Sequence, residues 1–450
     1  MLTAVVITFV LAYLAIVLEH PLKLDKTVPA MLAGVITWGI IFVSGLSVVD
    51  AEHQLGDVHE VLVNHLGEIA QILVFLIGAM VIVELVDLHQ GFSVITNRIR
   101  TTDKRKLLWL VSWMAFFLSS VLDNLTTTIV FISLLRRLVP DQKERLWYVS
   151  FVVIAANAGG AWTPIGDVTT TMLWIKEKVT TLGLVEHLAI SSFACLAVPL
   201  LLAGLLPIFK GNLSVAKSNG GASLVQEKLL SSKTMLTVGI GGLIFVPIFK
   251  ALTGMPPYMG MMLSLSVVWI VSEFVHPGED FTEERKKMLS ARHALSRIEL
   301  SSILFFLGIL LAVAALDAVV AGTHADGQSV GFLTTMAEGL QHAIPNLDIV
   351  VVVLGFLSAI VDNVPLVAAV MGMFPMDIHP VDDKLWQFIA YTAGTGGSIF
   401  IIGSAAGVAA MGMERIDFIW YFKKISWLAL VGYLAGVVSY LITYQLFHAH

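Results

Sequence analysis

Two short stretches decide the reading of this chain: Val121-Leu122-Asp123-Asn124-Leu125 and, half a chain later, Ile360-Val361-Asp362-Asn363-Val364. Each sets an Asp-Asn pair inside a long apolar run. A carboxylate at membrane depth is costly to charge, so it is rare there unless it handles ions, protons or substrate, and here the device occurs twice. Transport is the first hypothesis these residues raise.

The surroundings fit that hypothesis. The chain has 450 residues, 57% of them hydrophobic and only 13% charged, with a mean hydropathy of +0.86, a composition foreign to water-soluble domains of this size. Apolar segments long enough to span a bilayer recur from end to end, so we read an all-α polytopic membrane protein. The 14 Pro and 36 Gly suit broken helices rather than a barrel. One cysteine, Cys195, excludes an internal disulfide framework and any cysteine-built metal site. No Lys or Arg precedes Lys23, so the N-terminus lacks the basic start of a cleavable signal peptide and reads as a retained first span.

Ten spans are expected, at 2–18, 28–48, 68–88, 147–175, 184–208, 234–253, 258–275, 300–320, 386–412 and 418–446. The apolar segments 107–139 and 349–374 each carry an Asp-Asn pair near the middle and read as helix-turn-helix hairpins that dip in and return; two full spans apiece would also return the chain to its starting side. With 19–27, 88–106, 136–146, 209–234, 276–299 and 413–424 cytoplasmic, those segments hold 23 of the 27 Lys and Arg. The positive-inside rule then orients the protein with both termini outside. The stretch from Asp50 to His65 is acidic and histidine-bearing; it is read as an outer loop.

The halves resemble each other beyond the Asp-Asn pairs. Phe75-Leu76-Ile77-Gly78 parallels Phe305-Phe306-Leu307-Gly308, and Gly159-Gly160 through Gly166 parallels Gly396-Gly397 through Gly403. One unit, residues 1–215, holds hairpin 107–139 and broken span 147–175; the other, 216–450, holds hairpin 349–374 and broken span 386–412. Each comprises five spans plus a hairpin, and five is odd. The units therefore insert with opposite topology, an inverted repeat whose binding site lies near the midplane where the broken elements meet.

At the first hairpin tip, Asp123, Asn124, Thr126 and Thr127 can satisfy backbone groups freed by the turn or coordinate a bare cation through oxygen. The first broken span supplies Asn157, Thr163, Asp167, Thr169 and Thr170. The second half supplies Ser358, Asp362 and Asn363 at its tip, and Thr395, Ser398 and Ser404 in its broken span. Ser404 stands where the first half has Asp167, so the site is expected to be asymmetric, with more negative charge from the first half. Asp123, Asp362, Asn124, Asn363 and Asp167 are the expected ligands of the cation itself.

At these residues the chain resembles the NhaD-type sodium/proton antiporters of the ion transporter superfamily. The resemblance rests on Leu122-Asp123-Asn124-Leu125-Thr126-Thr127, on Asn157-Ala158-Gly159-Gly160-Ala161-Trp162-Thr163-Pro164-Ile165-Gly166-Asp167 and on Asp362-Asn363, and its architecture covers essentially the full length. Superfamily relatives that carry di- and tricarboxylates place Ser-Asn-Thr at both tips. Two carboxylates in that place would repel an anion, which argues for a cation. What the resemblance implies is a homodimer in a bacterial inner membrane, with a scaffold of early spans and a moving unit of hairpins and broken spans.

The expected mechanism is competitive antiport by alternating access: each tip carboxylate holds either a proton or part of a Na⁺ or Li⁺ shell. No cofactor and no nucleic acid is expected, and the lipid bilayer is the obligatory partner. The rival within transport is a metalloid or anion permease of the same superfamily. An intramembrane aspartyl protease would want a Gly-x-Gly-Asp signature, whereas the two Gly-Asp pairs here, Gly56-Asp57 and Gly166-Asp167, follow Gln54-Leu55 and Pro164-Ile165, and it would leave the tandem hairpins unexplained.

Overall fold

The computed structural model describes residues 1–50, 54–96, 99, 101–213, 231–275, 287–323 and 329–448. Among them, seven helices are long and apolar enough to cross a membrane: Thr27–Ser44, Val58–Leu88, Thr181–Ala203, Ser231–Thr253, Pro257–Phe274, Leu300–Ala318 and Ser426–Leu446. An eighth is formed if Phe332–Ala343 and Leu347–Leu357, bent by 117° at their junction, count as one. Their outer faces are apolar: Val43, Leu252 and Phe274 stand 91%, 79% and 76% exposed. Water would not tolerate so continuous an apolar rind, whereas lipid covers it without cost.

The other expected spans are short or broken. Leu2–Val17 is a 16-residue helix. The first hairpin consists of Lys104–Ser119 and Asn124–Leu138, the second of Leu347–Leu357 and Asn363–Met373. The first broken span is Gln142–Gly160 followed by Val168–Ile175, and the second is Lys384–Gly396 followed by Ala405–Glu414.

Several expectations need correction. The span expected at 68–88 begins at Val58, because Asp57 accepts hydrogen bonds from the His59 and Glu60 amides and starts the helix a loop early. Half of the expected outer loop is therefore helix, and residues 51–53 of it lie outside the described residues. The segment 418–446 divides into Phe418–Lys424 and Ser426–His448. Two small antiparallel β pairs, Val48–Val49 with Leu55–Gly56 and Val320–Thr323 with Ser329–Gly331, interrupt the all-helical plan. The boundary expected between 215 and 216 lies outside the described residues.

Packing inside the two halves follows one pattern. A Cβ on Gly159 would strike the carbonyl of Phe116, seven residues before Asp123; one on Gly396 would strike the carbonyl of Gly355, seven before Asp362. A Cβ on Gly166 would stand 2.6 Å from the Ser119 carbonyl oxygen, and one on Gly403 the same distance from that of Ser358. Each broken span thus lies backbone against backbone on its hairpin, an approach only glycine permits. Ion pairs repeat too, with the charges exchanged: Lys104 to Glu144 at 2.5 Å ties the starts of the first hairpin and first broken span, and Lys384 to Asp348 at 2.6 Å ties those of the second. The halves are fastened to each other at buried Glu414, which takes Arg136 at 2.6 Å and Arg145 at 2.8 Å.

Gly159→Ala and Gly396→Ala are expected to destabilise by about 2–3 kcal/mol or abolish folding, since backbone cannot give way as a side chain can. Gly67→Ala, with open space at its Cβ, should leave thermal unfolding in detergent unchanged or slightly later.

Candidate ion-binding site

The breaks create helix starts, and a helix start in a membrane needs a partner for its free amides. Four polar side chains supply it. Asp123 accepts from the Thr126 amide at 2.7 Å, Asp167 from the Thr169 amide at 2.8 Å, Asp362 from the Val364 amide at 3.2 Å, and Ser404 from the Gly407 amide at 3.2 Å. Asp167 and Ser404 hold nearly the same backbone conformation, with φ, ψ of −148°, 146° and −143°, 154°. Capping satisfies backbone groups freed at the turns, one of the two uses the sequence allows the tip residues, and it fixes the direction of these carboxylates.

That direction is shared. A cavity of about 90 Å³ is lined by Asp123, Asn124, Asp167, Val168, Asp362, Asn363 and Ala405, so all four half-helices begin at its wall. Helix starts carry partial positive charge, and three carboxylates answer it.

Behind the caps runs a buried amide network. Asn124 Nδ2 donates to Asp167 Oδ2 at 2.6 Å and to Asn157 Oδ1 at 2.9 Å, joining the first hairpin to the first broken span. Asn157 Nδ2 donates to Ser398 Oγ at 2.8 Å and Ser404 Oγ at 2.9 Å, which carries the network into the second broken span. Ser358 Oγ lies 2.6 Å from Asn363 Oδ1 and 2.8 Å from the Ala393 carbonyl. Asn157 is thereby the bridge between the halves.

Hydroxyls divide by job. Thr126 and Thr169 each donate to the carboxylate that caps them, both at 2.6 Å. Thr163 donates to the Ser120 carbonyl, Thr170 to that of Asp167 and Thr395 to that of Tyr391, which leaves these three serving backbone. Thr127 Oγ1 and Thr128 Oγ1 are buried with no hydrogen-bond partner among the described residues. No three His, Cys, Asp or Glu side chains converge closely enough among the described residues to chelate a metal. A cation here would have to draw on amide, hydroxyl and water oxygens as well.

Sequence reasoning missed Lys26. The charge census places it with Lys23 in a short loop, yet its Nζ lies 3.0 Å from Asp362 Oδ2 and it lines the cavity. No local signal announces a contact made across 336 residues.

Two larger vestibules flank the cavity. One, of about 500 Å³, is lined by Glu84, Asp87, Arg137 and Arg297 and shares Met80, Val83, Leu125 and Thr126 with the central cavity. The other, of about 560 Å³, is lined by Asp50, His65, Glu68, Lys176, Lys178 and Asp317 and shares none of its residues with it. Glu84, Asp87 and Asp317 thus line vestibules; Glu84 is paired with Arg297 at 2.7 Å.

Asn157→Ala removes three buried hydrogen bonds, one each to Asn124, Ser398 and Ser404, and should cost about 2–3 kcal/mol in thermal unfolding. Ser398→Ala removes one acceptor and should cost about 1 kcal/mol.

Comparison with known proteins gives the family. The family model described as citrate transporter matches residues 9–394. "Sodium/proton antiporter 1" of Arabidopsis thaliana is 46% identical over 98% of this chain and 73% of its own length; "Sodium/proton antiporter 2" of the same plant is 43% identical over 96% and 97%. "Na(+)/H(+) antiporter NhaD" of Alkalimonas amylolytica is 28% identical over 98% of this chain and 91% of its own. The chain therefore belongs to the citrate-transporter family, on its NhaD-type sodium/proton antiporter side.

Proposed function

We propose that this protein exchanges Na⁺, and also Li⁺, for H⁺ across a membrane, binding cation and proton in turn at the cavity of Asp123, Asp167 and Asp362. One observation carries the reading: three carboxylates stand where four helix starts meet. With neutral caps, four helix starts would form an anion site; with three Asp they form a site for a small hard cation, which prefers oxygen ligands. The family description names citrate. A polycarboxylate brought against three carboxylates would be repelled, whereas Na⁺ would be drawn in. The antiporter names of the relatives agree with the cation.

Asp123 and Asp167 form the core of the proposed site, with Asn124 and Asn157 holding Asp167 and Thr126 holding Asp123. Ser398 and Ser404 tune it through Asn157. Protonation of a carboxylate removes the charge that holds the cation, so each ion expels the other and neither is carried without exchange. Alternating access follows if the two vestibules open in turn. The vestibule with Arg137 and Arg297 is assigned to the cytoplasm, on the positive-inside rule, which leaves both termini outside. The matched glycine contacts and exchanged ion pairs support two repeats divided near residue 215. Their opposite insertion, the re-entrant course of both hairpins and a homodimer remain part of the proposal. The membrane is an energised one, the bacterial inner membrane or its counterpart in a plant cell.

Asp123→Asn should fold, because an amide can still cap the Thr126 amide, yet lose Na⁺-induced collapse of ΔpH in everted vesicles at matched protein level. Asp167→Asn should behave likewise, and Asp362→Asn should lose exchange or move its pH dependence. Wild-type exchange with wild-type pH dependence in all three would refute the carboxylate mechanism. Ser404→Ala, by contrast, should weaken apparent Na⁺ affinity more than it lowers maximal exchange.

A further inference from the structure

Among the four caps, Asp362 is held differently. Asp123 and Asp167 are satisfied by neutral donors, an amide N–H and a hydroxyl each, with Asn124 added at Asp167. Asp362 has one backbone donor, at 3.2 Å, and a full positive charge, the Lys26 ammonium at 3.0 Å. Lys26 is the only Lys or Arg lining the cavity among the described residues. It is seated for that role, with its Nζ also 4.4 Å from the centre of the Phe305 ring.

The charge count assigns the ammonium a function. Four helix starts contribute about half a charge each, roughly +2 in all. Three carboxylates contribute −3 when ionised, and Lys26 brings the empty cavity close to neutrality. An arriving cation therefore meets a site already balanced. We propose that Lys26 is a tethered counter-cation of the second hairpin tip: it occupies Asp362 and competes there with the transported ion, which must displace it to bind fully. The inference rests on the cation-exchange reading above and adds the competitor. It also supplies a coupling rule. Lys26 immediately precedes helix Thr27–Ser44 and Asp362 sits on the hairpin, so any movement of the tip away from that helix strands a bare carboxylate unless a cation or proton has replaced the ammonium.

The test measures Na⁺ binding without requiring turnover, by Na⁺-dependent thermal stabilisation of purified protein at alkaline pH, where few protons compete. Lys26→Ala should lower the Na⁺ Kd about tenfold, the factor that 1.4 kcal/mol of relieved competition gives. Lys26→Met, which keeps the aliphatic stem over Phe305, should do the same, and Lys26→Arg should stay near wild type. In an Asp362→Asn background, Lys26→Ala should change the Kd no further. An unchanged Kd in Lys26→Ala and Lys26→Met overturns the proposal, as does an equal shift with and without Asp362. A loss of stability alone, at wild-type Kd, would make Lys26 a clamp of the fold. Failure of the antiport reading is separate and shows in the wild type, as absence of Na⁺-stabilisation and of Na⁺-driven proton flux.

Discussion

The meeting of four helix starts in one small cavity is the constraint on which the rest of the structure depends. Each start leaves amides that lipid cannot satisfy, so each needs a polar cap, and the caps are drawn to the point where the starts converge. Backbone contact at Gly159 and Gly396 brings the elements that close. Amide bridges through Asn124 and Asn157 then hold them in register. On the proposed function, stability and ion chemistry use the same atoms here, so an aspartate cap cannot be neutralised without altering the charge of the cavity.

The proposed site would account for a family described by citrate including members named for sodium. The scaffold of broken helices supplies positive charge whatever the sequence, and the cap residues decide what that charge is used for. Neutral caps leave it free for an anion. On the proposed reading three aspartates outweigh it by about one charge, which Lys26 balances until a cation takes its place. Ser404 beside Asp167, in almost the same backbone conformation, shows both choices in one molecule.

Much of this was legible in the sequence. Helices broken at an Asp-Asn turn, expected within 107–139 and 349–374, are found at 104–138 and 347–373, because an Asp-Asn pair in an apolar run favours a polar turn. Asp123, Asn124, Asp167, Asp362 and Asn363 were grouped from sequence, and they line one cavity. What stayed hidden depended on geometry. Thr163, Thr170 and Thr395 have the composition of ligands but bond to carbonyls, a choice made by rotamer. The early helix start at Asp57 is a capping decision that hydropathy averages away. Lys26 is a loop residue by every local measure.

Helix Val58–Leu88 runs past all three cavities in turn. Its Ile69 and Ile72 wall the vestibule of His65 and Glu68, Phe75 through Val83 wall the central cavity, and Met80 through Asp87 wall the other vestibule. From Ile72, the last of its residues on one vestibule, to Met80, the first on the other, is about 12 Å along the axis. Water in a vestibule carries the bulk potential inward, so the membrane voltage falls mainly across the dry layer that separates the two solutions. With the vestibules opening to the two sides as proposed, that layer is the roughly 12 Å of helix between Ile72 and Met80, not the roughly 30 Å of the lipid around it. A charge moved through it, or the layer itself shifted to the other side of the charge, crosses most of the potential over that shorter distance, at about 2.3 kcal/mol per 100 mV.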